Sequence, residues 1–152
     1  MPKGRQEHFD SYRGLHQPSG DPGDPAIHNM ETLFPDDVYT HPHFYGHGDK
    51  VVDREAGRAL QGAKGDPEAM VDIYRGVPHG VTAINQGDWV TTSPTYARQH
   101  GFHGHDPTKD WPVLHAQVPA RHVTTGGNDI VEWGYSGPTI ENARVHHPGG
   151  RS

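Results

Sequence analysis

Hydrophobic and polar positions divide the chain into stretches of different character. From Met1 to about Pro25 the residues are polar, end in SGDPGDP, and show no period of about 2 or 3.6. Residues 1–25 are therefore expected to be a flexible tail, and HHPGGRS at the far end makes 146–152 a second one. That leaves 26–145 for a single domain. Phe34 to Tyr45 (FPDDVYTHPHFY) is aromatic and turn-rich without a clear period, which predicts ordered loop around a short strand or helical turn. In VVDREAGRALQGAKG, the residues Val52, Ala56, Ala59, Leu60 and Ala63 recur at helical spacing, with Gly65 as a stop, and predict an amphipathic helix. Asp66-Pro67 predicts a capped further helical turn over EAMV.

The pattern then changes to short runs of β formers. DIYRGVP, ended by Pro78, predicts a strand, and WVTTS, after the turn signal NQGD, predicts another. PTYARQHG follows at once with both helix ends marked: Ser93 as N-cap, Pro94 as first helical residue, Gly101 as stop. Residues Phe102 to Pro112 read as loop. Two more strands are expected, VLHAQV and IVEWGY, the second after TTGGND, whose Gly126, Gly127 and Asn128 suit positive φ. One helix and then several strands with an inserted helix predict an α+β domain with a mostly antiparallel sheet.

Composition narrows this picture. With 152 residues, 31% of them hydrophobic, and 20 Gly and 14 Pro, the chain holds one domain with a small core and much loop. The net charge of −6 argues against a general phosphate-binding surface but leaves room for a local basic pocket. Without Cys there is no disulfide, zinc-thiolate site or Cys nucleophile. The N-terminus MPKGRQEHFDSYRG lacks the apolar core of a signal peptide and no apolar run approaches a membrane span, so the expectation is a soluble protein acting inside a cell.

Three polar residues stand in strands that apolar residues would build more easily: Arg75 in IYRGVP, Ser93 closing WVTTS, and Glu132 in IVEWGY. Buried charges need partners, and on neighbouring strands these residues can serve one another. Gly76 allows close approach of a ligand to backbone, and the corner at Ser93 exposes N–H groups that suit an anion. Trp133 and Tyr135 add aromatic surface, with Gly134 leaving space between them. The plainer readings are a structural Arg75–Glu132 ion pair, Ser93 as a simple cap, and Tyr74, Trp89, Trp133 and Tyr135 as core aromatics. Asp37, Tyr39 and Tyr45 are read as covering the sheet in preference to lining a cleft. The 14 His include HPHFYGH (His41, His43, His47) and HGFHGH (His100, His103, His105), but these lie in Gly/Pro loops without carboxylates at ligand spacing, so no metal site is expected.

YRG, WVTTSPTYA and VEWGY, in that order, resemble the Arg, Ser-Thr-Ser and Glu strand motifs of the mono-ADP-ribosyltransferases, and in particular a small transferase-like domain of phage and mobile-element proteins. The resemblance covers Val71 to Tyr135. It implies a small ADP-ribosyltransferase-like catalytic domain with a split, mostly antiparallel sheet and few helices. It further implies that NAD is the substrate, that Arg75 binds its diphosphate or ribose, that Ser93 holds the carboxylate of Glu132, and that Glu132 stabilises the cationic ribose as nicotinamide leaves. Gly76, Thr91, Thr92, Ser93, Tyr96 and Trp133 are then expected to bind NAD, with Tyr96 or Trp133 stacked on nicotinamide and Trp89 nearby. Two features depart from the family pattern. The middle motif is Thr91-Thr92-Ser93, and Ile130 stands where arginine-modifying relatives place Glu or Gln, which argues against an arginine acceptor. The expected activity is transfer of ADP-ribose to a macromolecule, protein or nucleic acid, of a host cell, in the bacterial cytoplasm if the chain is phage-encoded. The alternatives are an NAD glycohydrolase toxin and a catalytically silent binding or virion module.

Overall fold

The computed structural model describes residues 25–30, 36–46, 48–100, 111–125 and 129–146, with only the backbone at Asp36 and His100. The expected tails, apart from Pro25 and His146, lie outside the described residues, as do Phe34, Gly126 to Asn128, and the expected loop before Trp111. Among the described residues the domain is α+β, with two α-helices, short 3₁₀ turns and a six-stranded antiparallel sheet.

Helix α1, Lys50–Ala63, starts where the carboxylate of Asp49 accepts the N–H groups of Val51 (3.0 Å) and Val52 (3.1 Å), satisfying two orphan donors of the first turn. It buries Val52, Ala56, Leu60 and Ala63, while Gly57 admits Pro42 so closely that a Cβ there would sit 3.1 Å from the proline ring. The helical turn expected over EAMV is corrected. Asp66 does cap a turn, accepting from Glu68 N–H at 2.9 Å, but Met70 already opens strand β1, Met70–Gly76. Its seven-residue register with β3, Val113–Pro119, outweighs one more helical turn.

The remaining elements are β2 (Trp89–Thr91), α2 (Pro94–His100), β4 (Val123–Thr125), β5 (Glu132–Tyr135) and β6 (Arg144–Val145). Strand order is β4-β5-β2-β1-β3-β6. Strands β4 and β6 were not anticipated, and Thr124 and Thr125, read as turn, belong to β4. Strand β5 begins at Glu132 instead of Ile130, because the Asp129 carboxylate takes the N–H groups of Val131 (2.8 Å) and Glu132 (3.1 Å). The 3₁₀ turns Asp36–Val38 and Pro42–Tyr45 fill the aromatic segment. Buried Tyr39 ties that segment to the residues before it, its hydroxyl donating to Ile27 O (2.7 Å) and accepting from Met30 N–H (2.9 Å).

Ladder lengths divide the sheet. Strand β1 pairs with β3 over seven positions and β2 with β5 over three, but β1 meets β2 only at Tyr74↔Thr91. One core unites Ile27, Met30, Leu60, Ile73, Leu114 and Trp133. Trp133, expected to line a ligand cleft, is a core residue: it is completely buried and its indole N–H donates to Ile130 O at 2.9 Å. Alternation along β5 explains the correction, since Trp133 pairs with Val90 and points away from the face that carries Glu132.

Trp133→Ala should cost about 3–5 kcal/mol, because it leaves a large cavity and an unsatisfied carbonyl. For a domain whose total stability is of order 5–15 kcal/mol, urea unfolding should show a large fall in midpoint.

Candidate active-site cleft

Register places Tyr74, Thr91 and Glu132 in one row across β1, β2 and β5, so their side chains share a face of the sheet. Continued past Tyr74, the same register would set Gly76 opposite Trp89, but the strands part there. A cleft opens at the parting, with a volume of about 70 Å³, lined by Arg75, Gly76, Trp89, Thr91, Tyr96 and Glu132 among others. Gly76 and Thr91 both line this cleft. Thr92 is buried outside this lining, its hydroxyl without a hydrogen-bond partner among the described residues.

Arg75 bridges the parted strands. Its Nη1 donates to Trp89 O at 2.6 Å, taking the acceptor that an unbroken ladder would offer to a backbone N–H. Its Nε lies 3.6 Å from the carboxylate of Asp88, with the two side chains about one-third and one-fifth exposed (32% and 22%). Asp88 also accepts the N–H of Asn85 at 2.8 Å, so the turn before β2 is built around the same carboxylate.

Glu132 is half-buried, and its Oε2 accepts the hydroxyl of Tyr96 at 2.5 Å. Tyr96, expected as a stacking ring, therefore holds the carboxylate, the task assigned to Ser93. Ser93 is completely buried and does cap α2, its Oγ accepting Tyr96 N–H at 3.0 Å, but it donates to Glu55 of α1 at 2.7 Å and not to Glu132. Glu55 also receives Thr95 N–H (3.2 Å) and Thr95 Oγ1 (3.1 Å). The N–H groups expected to attract a ligand anion at this corner are thus engaged by the chain's own side chains, and a carboxylate there complements the helix dipole. Sequence reasoning missed Glu55 and Asp88 as partners. Asp88 stands in the turn signal NQGD one residue before β2, a local cue; Glu55 stands 38 residues before Ser93 and offered none.

Beside the cleft, Tyr74 stacks on His115 with centroids 4.8 Å apart, and His115 Nε2 lies 2.8 Å from Asp72 Oδ1. The Tyr74 phenol is pushed up to about 12, first by burial, then by the charges of Asp72 and Glu55. Among the described residues no group of three or more His, Asp or Glu side chains could hold a metal ion. His47, His103 and His105 lie outside the described residues. No described helix is long and apolar enough to cross a membrane.

Ser93→Ala removes both a helix cap and a donor to Glu55, and a loss of about 1–2 kcal/mol in urea unfolding is expected. The raised Tyr74 phenol stabilises the folded state in its neutral form. That contribution is complete below the ordinary phenol range near 10 and is lost as pH rises through about 12. The phenols of Tyr45 and Tyr135 are raised as well, so absorbance titration should show more than one late-ionising tyrosine, and Tyr74→Phe should remove the one near 12.

Comparison with known proteins returns no match of this chain to a family model, a curated protein or a solved structure.

Proposed function

We propose that the cleft uses NAD as substrate and breaks its nicotinamide–ribose bond, passing ADP-ribose to a macromolecular acceptor. The observation that carries this reading is that Arg75 and Glu132, from strands that β2 separates, both line one cleft. The resemblance of YRG, WVTTSPTYA and VEWGY to ADP-ribosyltransferase motifs supports it independently.

In this reading Arg75 takes the diphosphate or ribose through its planar fork. The carboxylate of Glu132 accepts a hydrogen bond from the ribose 2′-OH and faces the positive charge that grows at the anomeric carbon. The C–N bond breaks with its electron pair going to the pyridinium nitrogen, so nicotinamide leaves neutral. The acceptor nucleophile then bonds to the anomeric carbon and releases its proton. Tyr96 orients the carboxylate before substrate arrives. At about 70 Å³ the cleft is far smaller than the ~300–1,000 Å³ of typical ligand pockets. NAD binding therefore requires its rim to open, with Tyr96 and Asp88 yielding Glu132 and Arg75 to the ribose and diphosphate.

The same small volume favours a second reading, a silent binding module with this fold, and one assay separates the two. Labelled NAD incubated with bacterial lysate should mark a macromolecule. Glu132→Gln should reduce transfer by at least about 10²-fold with folding intact, and Arg75→Lys should raise the KM for NAD. Free ADP-ribose without labelled product would indicate hydrolysis, whereas full activity of Glu132→Gln would remove the assignment.

A further inference from the structure

A groove larger than the cleft lies away from it, along α1. Its volume is about 540 Å³, and Lys50, Arg54, Arg58 and His43 contribute to its walls. The three cations stand four residues apart, so they rise along the helix by about 6 Å each and span about 12 Å. All three are exposed and make no hydrogen bond or ion pair among the described residues. Like charges at this spacing weaken a helix, so the row does not serve the stability of α1.

The acidic neighbours keep their charge and offset part of the row, but their oxygens are directed to other donors. Asp53 borders the groove but is buried and accepts Gly48 N–H at 2.8 Å. Asp49 accepts from Val51 and Val52 at the helix start and from Gln99, and Glu55 turns toward Ser93 and Thr95. The chain's net charge of −6 repels polyanions at long range. At physiological salt that repulsion is screened beyond about 8 Å, so close to the groove the local cations dominate.

A second, independent feature adjoins the groove. Phe44 is 62% exposed, and its ring packs on His41 (centroids 5.3 Å, nearly parallel) and against His43 (4.5 Å). His43 belongs both to this aromatic cluster and to the groove wall. A large apolar ring held in water on a stack of imidazoles, beside a row of unpaired cations, combines the two elements that single-stranded nucleic acids require: charge along the backbone and a π-face for an unstacked base.

We infer that this groove binds single-stranded nucleic acid, with successive phosphates on Lys50, Arg54 and Arg58 and a base on Phe44. An acidic peptide would satisfy the cations and leave Phe44 without a role. The site stands apart from the cleft and does not rest on NAD chemistry.

The test is fluorescence anisotropy of a labelled oligothymidylate of about ten nucleotides with the full chain, in the absence of NAD. Three phosphate contacts predict a slope of log K against log salt of about −2. Arg54→Ala and Arg58→Ala should each weaken binding and reduce that slope by about 0.7. Phe44→Ala should weaken binding about tenfold at unchanged slope. These side chains are exposed, and circular dichroism of each variant should match the parent. Absence of binding at 50 mM salt (about 10–15 Å of screening) would overturn the inference. So would equal binding by Phe44→Ala together with equal competition from polyglutamate, which would mark the groove as a peptide site. Because no NAD is present, failure of the transferase reading would leave this result unchanged.

Discussion

The arrangement depends on one hydrogen bond at the place where the sheet comes apart. Antiparallel strands exchange backbone bonds in a regular series, and ending the series early leaves donors and acceptors to be satisfied in another way. Strand β1 holds β2 at Tyr74↔Thr91 alone, and the next acceptor on β2, the carbonyl of Trp89, is taken by the guanidinium of Arg75. A side chain thus substitutes for backbone and keeps the strands apart without an unpaired carbonyl at the joint. The cleft follows from that substitution: Gly76, with no side chain, lies on one lip and Trp89 on the other. Arg75 accordingly has a structural task whatever ligand the cleft accepts, and its second contact, Asp88, is the group that a bound anion would have to displace.

Around the joint, carboxylates are distributed so that each has its own donors. Glu55 receives the hydroxyls of Ser93 and Thr95 and an N–H of the first turn of α2, which locks the two helices together. Glu132 receives Tyr96 from the same helix. One short helix therefore presents one face to a carboxylate of α1 and another to a carboxylate of β5. Its placement decides which of them can be given up to a ligand. Glu55 makes three contacts at a helix start, away from the cleft, whereas Glu132, bound by Tyr96, stands in the cleft wall.

Much of this frame was legible in the sequence, for local reasons. The helical spacing from Val52 to Ala63, the alternation in DIYRG, and the cap and stop around PTYARQHG each carry their signal within a few residues. Arg75 and Glu132 could be singled out because charge inside a run of β formers is conspicuous. What could not be read depended on distance along the chain. Ser93 finds Glu55 and Tyr96 finds Glu132 across 38 and 36 residues, and the hydroxyl that reaches a given carboxylate is settled by helix orientation, which no local pattern encodes. The two-residue strand β6 is likewise too short to show a period, and it exists because the edge of β3 is there to pair with it.

The burial of Trp133 shows how a correct local reading can still assign a wrong role. VEWGY looks like a carboxylate flanked by aromatic walls, and along the chain it is. In a pleated strand, however, neighbours in sequence face opposite ways, so Trp133 turns into the core, whereas Arg75, beside Tyr74, enters the cleft where the strands have parted and its guanidinium reaches Trp89 O. Other residues that share the cleft with Glu132 come from other strands at matching register, Thr91 and Tyr74, or from a helix laid across that face, Tyr96. Strong aromatic flanks next to a catalytic candidate thus argue for a firm core beneath the site, which fixes the carboxylate's strand in place while the side chains that meet the ligand are supplied from elsewhere.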